Sequence, residues 1–309
     1  MKSLIDNDVY WGEFSEKDMD EILLMLSKDK YSEAKEYIDK KLKRTEFIFG
    51  RARSDFLYCM DLKKDFVCMD IGCGLGVHTF NLAPYVKEVH ALDLSRKRVE
   101  FCEYRKKFEG IENVHLYHTD VDHLPFPDET FDVVLMNGVV EWLGERNHNS
   151  NPRDDQVEIL KKIRSLLKKD GVLYIGIENR FALTYLHNAK DHNRLKYTTF
   201  MPRFLADFVT KIFVGKSYRT YTYGISGYKK LLADSGFNLS RTDFFVAHPG
   251  YNLPQYLIDY TDISAFRFFI MNAYGTSKWA SVLIPFIKHD WFIKIIRHVF
   301  YSYAIFAKK

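Results

Sequence analysis

The chain has 309 residues, of which 47% are hydrophobic and 28% are charged. These proportions are ordinary for a globular protein and exclude collagen-like, low-complexity and disulfide-scaffold classes. The net charge of +4 is concentrated in residues 277–309, where six basic residues face a single acid, Asp290. Because the rest of the chain is close to neutral, this local excess argues against nucleic-acid binding.

The four cysteines lie in the first third of the chain, and no two of them have C-x-x-C spacing. No histidine pair completes a zinc pattern, so we predict reduced thiols, no metal and a cytoplasmic location. The acidic N terminus lacks the apolar segment of a signal peptide. No uncharged apolar stretch of about 18 residues is present, so no transmembrane helix is predicted.

The predicted elements begin with helices over residues 15–45. From Phe66 the chain alternates short apolar runs with amphipathic segments, a pattern typical of a parallel sheet with helices on both faces. The predicted strands are 66–71, 88–93, 114–118, 131–136 and 171–177, and the predicted helices are 77–86, 97–108 and 156–168.

After Asn179 this alternation stops. Residues 180–309 hold 29 of the 49 aromatic residues, and within them we predict only a helix over 226–235 and strands over 239–246 and 301–308. The chain is therefore predicted to be one fold with insertions. Its segments are an N-terminal helical lid (1–60), a cofactor-binding core (61–180), lids at 181–225 and 250–298, a core helix and strand (226–249) and a last strand (299–309).

Three glycines, Gly72, Gly74 and Gly76, directly follow the first predicted strand. Glycines at this point allow a sharp turn into the helix and a close approach of the backbone to a ligand. The dinucleotide fingerprint would need a further glycine where Val77 stands. Asp70, two residues before the first glycine, favours a ligand with an amine over a pyrophosphate, which a carboxylate would repel.

Polar residues also follow the next three predicted strands. Asp93 ends the second strand and could accept two hydrogen bonds from a ribose diol. Asp120 follows the third strand and could accept from an adenine amine, and Asn137 follows the fourth. Open α/β sheets bind their ligands at these carboxyl ends.

Together these motifs resemble the class I S-adenosylmethionine-dependent methyltransferases, most closely the branch that includes the ubiquinone/menaquinone-biosynthesis type. The segments that carry the resemblance are 70–76, 91–95, 120–127, 131–135 and 166–171. The resemblance implies an α/β Rossmann-like, doubly wound sheet of seven strands in the order 3-2-1-4-5-7-6, with strand 7 antiparallel. It also implies S-adenosylmethionine as cofactor and S-adenosylhomocysteine as product. The turn Lys168–Gly171 departs from the family's usual Pro-Gly-Gly.

The resemblance further implies a role for each cofactor residue. The methionine moiety would lie against Asp70, Gly72, Cys73, Gly74 and Asn137. Asp93 would bind the ribose hydroxyls and Leu94 would pack on adenine, while Asp120 would bind the adenine amine and the Val121 amide a ring nitrogen.

Methyl transfer is an in-line displacement that depends mainly on positioning, so no strong nucleophile motif is expected. Candidates for a base are His248, Glu141 and Glu178, each with a structural role as the alternative. Candidates for acceptor contacts are Glu178, Asn179, Arg180 and Tyr251. The alternative for the 178–180 segment is a loop held by its own hydrogen bonds.

The segments 177–181, 219–221 and 250–254 are similar to methyltransferases of surface-polysaccharide clusters, which implies a hydroxyl of a sugar or glycan as acceptor. The aromatic excess suits carbohydrate, and it equally suits a dense core. The alternatives are a natural-product or quinone-like acceptor, or a cofactor-binding protein without activity. Residues 278–297 interleave basic and aromatic side chains, which favours either contact with a membrane surface or a helix packed on the fold. The oligomeric state is not predicted.

Overall fold

The computed structural model describes residues 14–43, 47–187, 189–274 and 285–309. The strands are β1 Val67–Ile71, β2 Glu88–Asp93, β3 Val114–His118, β4 Phe131–Asn137, β5 Leu167–Glu178, β6 Thr242–His248, β7 Tyr256–Asp259 and β8 Ser302–Lys308. The α-helices are α1 Glu16–Ser27, α2 Tyr31–Leu42, α3 Val77–Leu82, α4 Arg96–Glu109, α5 Pro152–Leu166, α6 Leu183–Leu186, α7 Arg203–Val214, α8 Ile225–Asp234, α9 Ile263–Tyr274 and α10 Asp290–Ile296. The longer 3-10 helices are Ala52–Cys59 and Val140–Glu145.

The strands form one sheet in the order β3-β2-β1-β4-β5-β8-β6-β7. β1 pairs in parallel with β2 and β4, and β2 with β3. β6 pairs antiparallel with both β7 and β8. The predicted Rossmann-like class is confirmed. The predicted count of seven strands is one too few, because the sheet has eight; the order 3-2-1-4-5-7-6 is matched when β8 takes the place of the predicted seventh strand and the edge strand β7 is added after β6. The edge strand β7 is an addition, because four residues are too few for an alternating pattern to stand out in the aromatic 250–297 segment.

Several predicted boundaries shift for local reasons. The predicted helix 77–86 ends as α-helix at Leu82 and tightens into a 3-10 turn that contains Pro84, a residue without an N–H to donate. The strand predicted at 239–246 begins at Thr242, because Asn238 caps a preceding 3-10 turn by accepting from the Ser240 N–H at 2.9 Å. β5 begins at Leu167, four residues before the predicted start.

The chain divides into two compact units. The first comprises Met1–Met136 with Ser165–Val172, and the second comprises Asn137–Arg164 with Leu173–Lys309. Strand β5 contributes residues to both. The predicted segment boundaries are finer than this division and stay predictions.

In the first unit, helices pack together beside a sheet whose central strand is buried. α1 starts at a capping box, in which Ser15 and Asp18 exchange hydrogen bonds, and it buries Ile22 and Leu26 at helical spacing. This face packs against α2 and α4. Four of the five β1 residues are buried, as expected for a central parallel strand.

In the second unit, aromatic side chains build much of the core. Tyr228 packs edge-to-face on Tyr303, with ring centroids 5.9 Å apart, and its hydroxyl donates to the Glu178 carbonyl at 2.8 Å. Other rings stay outside the core: on α7, Phe204 is 78% exposed and Phe213 is 74% exposed. The aromatic excess thus supplies a dense core and an exposed apolar face on α7.

The basic-aromatic segment 278–297 is described only from Pro285 onward. Within α10, Ile293 is buried whereas Trp291 and Ile295 are exposed. Arg297 donates to the Tyr260 carbonyl at 2.7 Å and lies over the Tyr260 ring. This part of the segment therefore packs on the second unit through one face. Among the described residues, no helix has the length and apolar character needed to cross a membrane.

Candidate functional site

The glycine turn after β1 has the backbone conformation that its sequence predicts. Gly72, Gly74 and Gly76 have φ angles of +71°, +57° and +77°, values that side chains other than glycine rarely adopt. The Gly72 and Cys73 amides both donate to the Leu92 carbonyl, at 2.8 and 3.0 Å. A Cβ on Gly76 would lie 2.5 Å from the Phe80 ring. The turn is therefore held rigidly against the end of β2.

Asp70 is buried two residues before Gly72. The side chains that contribute most to its pKa, those of Thr79 and Asp93, carry no positive charge. Asp70 Oδ2 accepts a hydrogen bond from the Thr79 hydroxyl at 2.6 Å. Burial raises the pKa of Asp70 to about 6, and the nearby Asp93 carboxylate adds to the increase. Because an ammonium group beside Asp70 would stabilise its ionised form, the site suits a ligand that brings an amine.

Asp93 connects the end of β2 to the glycine turn. Its Oδ2 accepts from the Gly74 N–H at 2.9 Å and its Oδ1 from the Ser95 N–H at 2.9 Å, and an Arg98 nitrogen lies 3.7 Å from Oδ1. Each carboxylate oxygen offers about two acceptor positions. The carboxylate can therefore hold the turn and still accept from a diol.

The cysteines near the turn are packing residues in this structure. Cys73 and Cys102 are both buried, and the Cys102 thiol donates to the Gly74 carbonyl at 3.5 Å. A hydrogen bond with Cys102, together with burial, raises the pKa of Cys73 well above its usual range. The Cys73 thiol therefore stays protonated at neutral pH, which favours a structural role for Cys73.

The residues predicted to surround adenine lie at the ends of β2 and β3. Asp120 Oδ1 accepts from the backbone amides of Asp122 and His123, at 2.9 and 3.0 Å, so Asp120 caps a short 3-10 turn. Val121 is buried in that turn, and Leu94 is half-buried with its carbonyl 3.1 Å from the His118 ring. In the first unit, the residues predicted to bind the cofactor thus lie at the carboxyl ends of neighbouring strands, as their positions in the sequence imply. Their roles stay predictions.

Asn137, the remaining cofactor prediction, is the first residue of the second unit. Its Nδ2 lies 3.5 Å from Asn252 Oδ1, and its Oδ1 lies 3.5 Å from the Tyr174 hydroxyl. A Cβ at position 176 would come within 2.0 Å of that Oδ1. Gly176 therefore makes room for the Asn137 side chain.

Glu141 lies in the 3-10 helix Val140–Glu145 and is almost completely buried, at 1% exposure. Buried polar contacts hold this helix in place. The Gln156 side-chain amide donates to the Val140 and Tyr221 carbonyls at 2.9 Å. Arg219 donates to the Gly144 carbonyl at 2.6 Å and pairs with Asp155 at 3.3 Å. Arg219, singled out in the sequence as part of an acceptor-related segment, thus acts as a structural clamp here.

Glu178, at the end of β5, lies beside Glu141 and is 5% exposed. The Tyr251 hydroxyl donates to Glu178 Oε1 at 2.9 Å. The ring of Tyr251 fits because residue 138 is a glycine: a Cβ there would lie 2.8 Å from the Tyr251 hydroxyl oxygen. Burial, followed by the charge of Glu178, raises the pKa of Glu141 well above its usual range. Three of the predicted catalytic or acceptor residues, Glu141, Glu178 and Tyr251, therefore lie close together.

His192 completes this group and was missed by the sequence predictions. Its Nε2 lies 3.7 Å from Glu141 Oε1 and 3.6 Å from Glu178 Oε1. Asp191 shapes the loop, since its carboxylate accepts from the Asn193 and Leu195 amides. The only signal in the sequence is an Asp-His-Asn segment in the aromatic 181–225 insertion, and it carries no recognisable spacing.

Other predicted residues have internal partners. Asn179 is buried, and its Nδ2 donates to the His298 and Phe300 carbonyls at 2.7 Å. Arg180 donates to the Thr199 and Met201 carbonyls. These contacts favour the alternative of a loop held by its own hydrogen bonds for both residues.

His248, the third candidate base, ends β6 before a cis peptide bond to Pro249. Its ring contacts the aromatic rings of Tyr256, Phe269 and Phe300, and burial lowers its pKa. It is not part of the Glu141, Glu178 and His192 group. These contacts favour a packing role.

Comparison with known proteins agrees with the predicted family. Residues 62–216 match a family model described as a methyltransferase domain. The chain is 30% identical over 174 residues to a demethylmenaquinone methyltransferase of Anoxybacillus flavithermus, covering 55% of this chain and 65% of that protein. It is 29% identical over 103 residues to an uncharacterised methyltransferase, YcgJ, of Bacillus subtilis, covering 33% of this chain and 37% of the relative. The chain thus spans less than two thirds of either relative.

Among solved structures, a phosphoethanolamine N-methyltransferase 2 of Haemonchus contortus, in complex with phosphomonomethylethanolamine and S-adenosylhomocysteine, shares the fold. The TM-score is 0.52 at 14% identity, covering 92% of this chain and 58% of that one. Sheet order, glycine turn and family match together define a Rossmann-like methyltransferase domain. The chain belongs to the class I S-adenosylmethionine-dependent methyltransferases, in the branch that resembles the ubiquinone/menaquinone-biosynthesis enzymes.

Proposed function

We propose that this protein transfers the methyl group of S-adenosylmethionine to a small molecule. The observation that carries the proposal is the arrangement in the first unit, where buried Asp70 precedes a turn of three left-handed glycines and Asp93 accepts from the Gly74 amide. An amine-bearing ligand with a ribose would satisfy both carboxylates. S-adenosylmethionine has both groups.

In the proposed reaction, the bond between the sulfonium sulfur and its methyl carbon breaks as the acceptor atom bonds to that carbon. The sulfur regains its electron pair, S-adenosylhomocysteine leaves, and the acceptor loses a proton to a base or to water. The positive charge on sulfur already makes it a good leaving group. The protein's contribution is therefore mainly orientation of the acceptor and acceptance of the proton.

For the acceptor, the relatives support the small-molecule, quinone-like alternative better than a sugar. The demethylmenaquinone methyltransferase similarity points in that direction, whereas the polysaccharide resemblance rests on three short segments, two of which contain residues with internal structural roles, Arg180 and Arg219. Within the second unit, Tyr251 and Glu178 form a buried hydroxyl–carboxylate pair, and the Trp142 ring packs against His192 beside Glu178. Such surroundings suit a flat, apolar molecule with one or two oxygens.

The test is an assay of the purified full chain with methyl-labelled S-adenosylmethionine. The acceptors would be a short-chain demethylmenaquinol, simple phenols and a set of nucleotide sugars and monosaccharides. We expect labelled product and S-adenosylhomocysteine with a quinol or phenol. Label on a sugar would instead restore the glycan prediction. Cofactor binding by calorimetry with no S-adenosylhomocysteine formed on any acceptor or metabolite extract would favour the non-catalytic alternative.

Contact of residues 278–297 with a membrane surface stays a prediction, supported by the exposed Trp291 and Ile295 beside Lys294 on α10. Co-sedimentation with anionic phospholipid vesicles, compared with zwitterionic ones, tests it. Equal recovery in the supernatant with both would refute it.

A further inference from the structure

Glu141 and Glu178 are two buried carboxylates that lack an obvious counter-charge. Among the described residues, three carboxylate oxygens lack a hydrogen-bond partner: both oxygens of Glu141 and Oε2 of Glu178. Within the same residues, His192 is the single basic side chain in ion-pair range of either glutamate. Two such carboxylates in a low-dielectric interior repel each other and lose their hydration. The repulsion is relieved when one carboxyl is protonated or when a ligand supplies positive charge.

The distances in the group suit a shared cation better than mutual hydrogen bonds. His192 Nε2 lies 3.7 and 3.6 Å from the two glutamate oxygens, which is beyond hydrogen-bond range. One ligand atom from each residue lies within 4.8 Å of the other two. Ligands bound at about 2.1 Å from one metal ion are separated by about 3.0–3.4 Å. His192 therefore needs to approach each glutamate by only a few tenths of an ångström. The two glutamate oxygens, which lie within 4.8 Å of each other, need to approach by at most about 1.4–1.8 Å.

Neighbouring side chains orient two of the three ligands. Tyr251 donates to Glu178 Oε1 at 2.9 Å, which leaves that oxygen a second acceptor position. The Trp142 ring packs edge-on against the His192 imidazole, with centroids 4.9 Å apart. Outer contacts of this kind fix ligand orientation at metal centres. The partial exposure of His192, at 18% of its side chain, leaves a path for an ion.

We propose that Glu141, Glu178 and His192 bind a divalent metal ion of the Mn²⁺ or Fe²⁺ class. Two carboxylates and a neutral imidazole balance the ion's charge, and this oxygen-rich set suits Mn²⁺ and Fe²⁺ better than soft metals. Three protein ligands leave further coordination positions open. The inference rests on the second unit alone and does not depend on methyl transfer.

A second group, Glu88, His90 and His115, has a similar composition but is explained without a metal. Glu88 pairs with Lys87 at 3.3 Å, and His90 lies 2.9 Å from the Tyr117 hydroxyl. His90 and His115 are register partners on adjacent strands β2 and β3, with stacked rings. Since this more exposed group could still bind added metal weakly, the experiment removes it by using the His115→Ala chain as the reference protein.

The experiment measures Mn²⁺ binding to the full chain by electron paramagnetic resonance of the free ion, with calorimetry for affinity. In the His115→Ala background we expect one saturable Mn²⁺ site per chain. Adding Glu141→Gln should weaken it at least tenfold, and His192→Ala should do the same. The matched control is Glu145→Gln, the same substitution in the same 3-10 helix at a buried glutamate outside the group.

No saturable Mn²⁺ binding to the folded reference protein at millimolar concentration would overturn the proposal. So would equal weakening by Glu145→Gln and Glu141→Gln. Circular dichroism shows whether each variant is folded, and the two ligand variants act on different elements, so misfolding of one leaves the other decisive. Calorimetry with S-adenosylmethionine on the same samples reports on the proposed function separately, because its predicted ligands Asp70 and Asp93 are not changed.

Discussion

Replacing Asp70 by asparagine should stabilise the unliganded protein and weaken cofactor binding. The reason is that burial and the nearby Asp93 carboxylate favour the neutral form of Asp70, with a pKa of about 6 against a usual value of 3.8. Asparagine has nearly the same shape, carries no charge and keeps an oxygen for the Thr79 hydroxyl, which now donates to Asp70 at 2.6 Å.

The size and pH dependence follow from proton linkage. Below the unfolded pKa of 3.8, the Asp70 carboxyl is protonated in both the folded and the unfolded chain, and its ionisation does not lower the free energy of unfolding. The free energy of unfolding then falls as the pH rises through the folded pKa of about 6. Each pKa unit corresponds to about 1.4 kcal/mol, so ionisation of Asp70 costs the native state about 3 kcal/mol at pH 8 and about half of that at pH 5. The Asp70→Asn variant should recover part of this free energy of unfolding, with the larger gain at pH 8.

The assay is urea unfolding of wild type and variant at pH 8 and pH 5 without cofactor, followed by calorimetric titration with S-adenosylmethionine. If the cofactor's ammonium group lies beside Asp70, wild-type affinity should fall about tenfold from pH 7 to pH 5, because one proton must be displaced. The variant should bind more weakly at pH 7 and lose this contribution to the pH dependence. A variant that is less stable than wild type at pH 8, or that binds with unchanged affinity, would refute the reasoning.

Two further predictions concern the glycine turn, and a third concerns the 3-10 helix of the second unit. Asp93→Ala should weaken S-adenosylmethionine binding at least tenfold in calorimetry, since hydrogen bonds to a charged group contribute about 1.5–3 kcal/mol each; unchanged affinity would remove Asp93 from the site. Gly76→Ala should lower the free energy of unfolding by about 2 kcal/mol or more, because its Cβ would meet the Phe80 ring at 2.5 Å at a positive φ. Gly110→Ala is the matched control: it has a similar φ of +64° and open space around its Cβ, so equal losses in urea unfolding would contradict the clash. Arg219→Ala should cost about 3–5 kcal/mol because it leaves the buried Asp155 carboxylate without its cationic partner; a loss below 1 kcal/mol in the same assay would show that the clamp is dispensable.

Most of the first unit could be predicted because its signals are local. The turn at 72–76 follows a strand that reads as a short apolar run, and the acids at 70 and 93 occupy fixed positions relative to strand ends. Parallel strands with helical crossovers bring those ends to one edge. For this reason the sheet order and the place of Asp70, Asp93 and Asp120 follow from the sequence, whereas β7, with only four residues, does not.

The second unit could be predicted only in part, because its contacts join distant segments. Glu141 and Glu178 are visible as acids after strands, but their buried pairing with His192 depends on a loop that Asp191 folds and on a 3-10 helix that Arg219 holds. The sequence equally allowed Asn179 and Arg180 to meet an acceptor. Only the structure shows that their polar atoms bind backbone carbonyls of their own unit.

The sequence by itself therefore determined the class of protein, the strand order and the cofactor edge, since these depend on short motifs and on the handedness of strand–helix–strand units. The tertiary structure decided which polar side chains remain without partners. That outcome depends on burial and on hydrogen bonds between residues far apart in the chain, so the spacing of residues in the sequence does not predict it. It turned a prediction of no metal, made from local cysteine and histidine spacing, into a specific proposal of a three-residue site at Glu141, Glu178 and His192.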